Sequence, residues 1–71
     1  MRYMVVIEKG DSSWGAHVPE LPGCIAVGDT EEEVRRLIKE AIDLHSEGLR
    51  EAGERVPPPS STSEYVEVHA A

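Results

Sequence analysis

A chain of 71 residues with 14 acidic and seven basic side chains carries a formal charge of −7 and a pI near 4.8. That balance argues against nucleic acid as a direct partner, because holding phosphates takes clusters of Lys and Arg, and it favours a basic protein instead. A chain this short buries only about 60% of the surface its unfolded form exposes, so residues 1–71 are expected to make one domain with a small core, supplemented by self-association into a homodimer or larger assembly.

The first element is Arg2 to Glu8, β-branched and apolar on both alternating faces, with Tyr3, Val5 and Ile7 on one side and Met4 and Val6 on the other. Such a strand is covered on both faces. Lys9 to Ser13 is a turn cluster, and Trp14 to Val18 follows with Trp14, Ala16 and Val18 on one face, so the two segments read as an antiparallel hairpin. A structural corner comes next, built from Pro19, Leu21, Pro22, Gly23 and Cys24. Two prolines and a glycine there stop one strand and aim the chain into the next, since proline fixes φ and removes a backbone donor. Gly23 is expected to hold either a positive φ or a close approach that a β-carbon would obstruct.

Cys24 to Val27 is a short apolar strand, after which Asp29 or Thr30 caps a helix. Thr30 and Glu33 have the spacing of a capping box, and Glu31 and Glu32 sit where the positive helix terminus favours carboxylates. Val34, Leu37, Ile38, Ala41, Ile42, His45 and Leu49 recur at steps of three and four, which gives the helix one docking face and one wet face. Gly53 stops it after about 22 residues. Glu54 to Thr62 is an extended connector stiffened by three prolines, and the alternation in Glu64 to His69 predicts a last strand. The order is β-β-β-α-β, an α+β fold with a small antiparallel sheet and one long helix on one of its faces. One helix covers one face, so the other face or an edge calls for a second chain.

Few side chains point to chemistry. His17, Cys24, His45 and His69 fall on four different elements without the close pairwise spacing of a structural metal site, so no metal and no cofactor is expected. The single cysteine has no intramolecular disulfide partner and reads as a packing residue. A nucleophilic Cys24 helped by His17 across the corner would need a lowered thiol pKa that nothing nearby supplies. His45 reads as a hydrogen-bonded core or interface residue, and Trp14 and Tyr65 as core aromatics before partner anchors. No apolar run approaches the roughly 20 residues of a membrane span and no charged-then-apolar leader opens the chain, which reads as cytoplasmic. Asn and Gln are absent and Arg outnumbers Lys five to two, a bias that fits a heat-adapted source and equally a biased genomic base composition.

Taken together, Val18-Pro19-Glu20-Leu21-Pro22-Gly23-Cys24, then Gly28-Asp29-Thr30 with Glu32-Glu33, then Glu40-Ala41-Ile42, then Val56-Pro57-Pro58-Pro59-Ser60 resemble the HicB antitoxin family over nearly the whole chain. The resemblance implies a partial, degenerate ribonuclease-H-like fold. It also implies a protein that binds HicA, a small basic ribonuclease toxin with a double-stranded-RNA-binding fold, and masks its catalytic histidine. A ribonuclease-H likeness raises the question of metal-binding carboxylates, but Glu8 and Glu20 stand near strand ends while the other acids crowd the helix, so no enzyme is expected. Many HicB proteins carry a C-terminal DNA-binding segment; this chain ends two residues after His69, so the expectation is toxin neutralisation without operator binding. From Asp29 to Arg55 there are nine acids and five bases, and Glu40, Asp43 and Glu47 are the candidate toxin-binding residues. Two alternatives stay open: an orphan oligomeric scaffold or regulatory module that binds another protein or a small ligand at the corner, and a residual hydrolase using Glu8, His17 or Cys24.

Overall fold

The computed structural model describes residues 1–69. Three strands, β1 (Val6–Lys9), β2 (Trp14–His17) and β3 (Ile25–Gly28), form an antiparallel sheet in the order β1-β2-β3, and one helix, α1 (Glu31–Glu51), lies across one face of it. The fold class is α+β. Cross-strand rows run Val6, His17, Ile25 and Glu8, Gly15, Val27 on the face away from the helix, and Ile7, Ala16, Ala26 on the face beneath it.

The corner explains where the ladder stops. Leu21 N–H donates to the Val18 carbonyl and Cys24 N–H to the Leu21 carbonyl, both at 3.0 Å, so two successive turns fold residues 18–24 back on themselves, and Val18 N–H closes the loop on the Cys24 carbonyl at 3.2 Å. Pro22 and Gly23 occupy the centre of the second turn with Gly23 at φ +85°, the arrangement of a type II turn. No atom lies within 4 Å of where a Gly23 β-carbon would stand, so the left-handed backbone rather than crowding selects glycine. Val18 N–H points toward β3 and bonds Cys24, and Pro19, the next residue whose backbone would face β1, has no N–H, so β1 finds no partner beyond the Val6–His17 pair. The first strand is therefore Val6–Lys9, shorter than the Arg2 to Glu8 that hydrophobic alternation predicts. The third strand begins at Ile25, one residue after Cys24, whose own N–H is committed to the Leu21 carbonyl.

The helix ends follow the sequence closely. Thr30 Oγ1 accepts the Glu33 N–H at 3.1 Å, and the Glu33 carboxylate accepts the N–H of Asp29, also at 3.1 Å, a capping box shifted back by one residue. At the far end Gly53, at φ +75°, donates to the Arg50 carbonyl and Glu54 to the Leu49 carbonyl, which is a Schellman motif.

Ala16, Val18, Leu21, Cys24, Val34 and Ile38 are buried between sheet, corner and helix, with Tyr3, Val5, Ile7, Trp14, Ala26, Ala41 and Ile42 packed around them. Leu21, 1% exposed, makes the corner part of the core. Trp14 packs inward, with the Lys9 ammonium 5.9 Å from its ring centroid. His45 is half-buried on the helix.

The segment Glu64 to His69 is not a strand: residues 54–69 carry neither helix nor strand, and Tyr65, Val66 and Val68 are exposed. Among the described residues no backbone hydrogen bond joins this tail to β1, although Ser63 to Tyr65 pass beside Met4 to Ile7. Side-chain anchors position it instead. The Tyr3 hydroxyl donates to the Pro57 carbonyl, and the Glu20 carboxylate accepts the N–H groups of Ser60 and Ser61. Tyr65 thus stands outside the core in which sequence reasoning places it.

Candidate functional site

Glu40, Asp43 and Glu47 follow one another at steps of three and four along α1, so they form a single stripe, and all three side chains are exposed. Their settings differ. Glu40 faces Arg36 at 3.6 Å in an exposed pair, a contact worth little to stability that offsets its charge locally. Asp43 and Glu47 line a groove of about 510 Å³ with Arg50, bounded by Ile42 and Ser46 of the helix and by Met1, Tyr3 and Val56. The structure thus brings Asp43 and Glu47 to one groove and leaves Glu40 beyond it, toward the helix N-terminus. Glu31 pairs with Arg35 at 3.3 Å higher on the same helix.

The corner residues divide by role. Leu21 and Cys24 point into the core, while Pro19, Pro22 and Gly23 form an exposed rim. Burial pushes the Cys24 thiol up from its ordinary value, the reverse of what a nucleophile needs. His17 is exposed on the opposite face of the sheet, so the corner does not present the two side chains to one substrate. Glu8 is exposed on the outer face as well. Among the described residues no three His, Cys, Asp or Glu side chains converge as a metal site, and no helix is long and apolar enough to cross a membrane.

Sequence reasoning missed the role of Glu20. Its Oε1 takes the Ser61 N–H at 2.8 Å and the Ser60 N–H at 2.9 Å, and these two bonds hold its carboxyl below the usual range, Ser61 contributing most. Enclosure of the carboxyl works the other way, and Oε2 has no partner among the described residues. The only sequence signal is a carboxylate inside a proline corner, with a Ser-rich stretch behind three prolines 40 residues later.

A profile described as HicB_like antitoxin of bacterial toxin-antitoxin system matches residues 3–70. The chain belongs to the HicB-like antitoxin family. It is 34% identical over 76 residues to Antitoxin HicB 2 of Photorhabdus laumondii, an alignment covering 100% of this chain and 52% of that protein. A UPF0150 protein of Thermoplasma acidophilum is 39% identical over 71 residues, covering 99% of this chain and 100% of the relative, and an uncharacterized 14.9 kDa protein of Haemophilus phage HP1 is 38% identical over 66 residues, covering 93% and 50%. The chain therefore spans about half the length of the Photorhabdus and phage relatives and all of the Thermoplasma one. Among solved structures, a chain of a HicA3 and HicB3 toxin-antitoxin complex superposes with a TM-score of 0.66 at 27% identity, covering 82% of this chain and 72% of that one.

Proposed function

We propose that this HicB-like domain, residues 1–71, binds and neutralises a small basic HicA-type ribonuclease toxin. The observation that carries the reading is the family match over residues 3–70, supported by the likeness to a chain of a toxin-antitoxin complex. The contact surface is the helix stripe of Glu40, Asp43 and Glu47 with the groove beside it. A toxin that holds RNA must present positive charge around its active site, and an acidic stripe on a chain of net charge −7 draws such a surface in and fixes its orientation. The same charge disfavours nucleic acid, so the role is protein binding rather than operator binding, and no catalysis is assigned to Glu8, His17 or Cys24. The protein works in the cytoplasm, where such a toxin meets RNA, and as a homo-oligomer, because its core is small.

A second reading, an orphan scaffold or regulatory module, draws on the Thermoplasma relative, which this chain matches from end to end. Co-expression separates the two. With a HicA-type toxin encoded beside this chain, growth is restored if the antitoxin reading holds; failure to rescue any adjacent toxin removes it.

A further inference from the structure

The groove beside the acidic stripe holds a polar side chain that the fold does not use. Ser46 is 6% exposed and, among the described residues, is the one buried polar side chain. It lines the groove with Asp43, Glu47 and Arg50, and its hydroxyl makes no hydrogen bond among the described residues. A buried hydroxyl without a partner destabilises the fold that holds it, and native structures rarely leave one. Asp43 stands three positions before Ser46 and four before Glu47, so its neighbours on the helix surface are that hydroxyl and a second carboxylate. Glu31 and Glu40 each face an arginine one turn away, whereas neither Asp43 nor Glu47 is in an ion pair among the described residues.

We propose that this groove is the seat of an arginine side chain supplied by the protein partner. The inference rests on the antitoxin reading above and names what a toxin would place there. Two carboxylates and a hydroxyl are all acceptors, set against a wall of Ile42, Val56 and Tyr3. A guanidinium matches that combination, because it spreads five donors in one plane, stays charged, stacks on an aromatic ring and carries an apolar stem. The Tyr3 ring is held for that contact by the bond from its hydroxyl to the Pro57 carbonyl. A metal ion fits less well, since no third His, Cys, Asp or Glu joins the two acids among the described residues. Arg50 is the chain's own competitor. It lines the same groove from the last helical turn, where positive charge suits the helix C-terminus, and pairs with neither acid. Two carboxylates against one guanidinium leave the groove an acidic surplus for an incoming cation. A toxin that holds RNA has arginines for phosphate, and such an arginine finds here the charged acceptors that it otherwise finds on RNA.

The first test needs no toxin. The folded full-length chain is titrated to about 50 mM with N-acetyl-arginine amide, and separately with its uncharged counterpart N-acetyl-citrulline amide, while backbone amide resonances are followed. Resonances of Asp43, Ser46 and Glu47 should move with the arginine compound and stay in place with the citrulline one. Asp43→Asn with Glu47→Gln should weaken the binding at least tenfold, and Ser46→Ala at least threefold. Arg50→Gln should strengthen it at least threefold, a gain that a merely structural role would not produce. Glu32→Gln, exposed in the first turn, should leave it unchanged. The acids are exposed, so their variants read the site even if Ser46→Ala disturbs the fold by circular dichroism. With the toxin encoded beside this chain, Ser46→Ala should speed dissociation at least threefold and leave the on-rate unchanged, since the hydroxyl carries no charge. No movement at those three residues, or equal movement with citrulline, overturns the seat, and so does weaker binding by Arg50→Gln. A chain that captures its toxin but fails the arginine titration loses the seat and keeps the antitoxin reading. A chain that passes the titration and captures no adjacent toxin keeps the arginine site and loses the toxin as its source.

Discussion

The Glu20 carboxylate and the Ser61 backbone N–H meet at 2.8 Å across 41 positions of sequence, and with Ser60 beside it this contact fastens the proline-rich connector to the corner of the sheet. Corner, connector and tail are thereby one unit. Replacing the carboxylate by Glu20→Ala should free the tail while leaving the helix and sheet folded. Amide exchange at Ser60 and Ser61 should quicken by tenfold or more, with no comparable change at Val34 or Ile38. Unchanged exchange would mean that the tail is held by Tyr3 and Pro57 alone.

The same contact is sensitive to pH, with a sign that follows from charge. The folded Glu20 carboxyl lies below its unfolded value because two N–H groups bond its ionised form. Its contribution is therefore complete above the unfolded pKa, about 4.3 for Glu, and is lost as pH falls through the lower, folded value. Ser60 and Ser61 amide resonances should move together over that acidic range and lose the dependence in Glu20→Gln. Resonances flat down to pH 2 would contradict the anchor.

Leu21 ties the corner to the core. Truncation to Ala leaves a hole in the buried cluster that Leu21 shares with Val18, Cys24 and Val34, so Leu21→Ala should cost about 2–5 kcal/mol in denaturant melts. A cost near zero would place Leu21 at the surface.

Gly23 tests the backbone alone. Because its β-carbon position is empty, Gly23→Val should destabilise only through the left-handed φ, on the order of 1–3 kcal/mol. A melting temperature equal to that of the wild type would show that the corner tolerates another turn.

Burial of Cys24 gives a chemical readout. Its thiol, raised by desolvation and enclosed by the core, should react with an alkylating reagent at least a hundredfold more slowly in the native protein than in denaturant. Equal rates would reopen the hydrolase alternative.

Much of this fold is legible in the sequence because its signals are local. The capping Thr30 with Glu33, the stop at Gly53, the three-and-four spacing from Val34 to Ile42, and the proline corner each name their structure within a few residues. Contacts across many positions were not legible. The strand pattern of Glu64 to His69 describes a segment able to pair, but a ladder also needs a partner edge in register. Here the chain is pinned by Glu20 and Tyr3 before any pairing with β1 begins. Alternation also makes the first strand long, because only the register shows that Pro19, without an N–H, is the next residue to face it. On the helix, sequence places Glu40, Asp43 and Glu47 on one stripe but not the groove that Asp43 and Glu47 share with Met1 and Tyr3.

The central proposal is that the acidic stripe of α1 captures a basic toxin, and association kinetics test it most directly. The on-rate of the purified chain with the HicA-type toxin encoded beside it should fall steeply between about 50 and 500 mM salt, as steered encounters do. Glu40→Lys with Asp43→Lys and Glu47→Lys should slow it by tenfold or more at low salt and flatten that dependence, while the melting temperature moves little because all three side chains are exposed. Tight binding whose on-rate ignores both salt and the triple reversal would contradict the helix assignment, and no binding at all would contradict the antitoxin role itself.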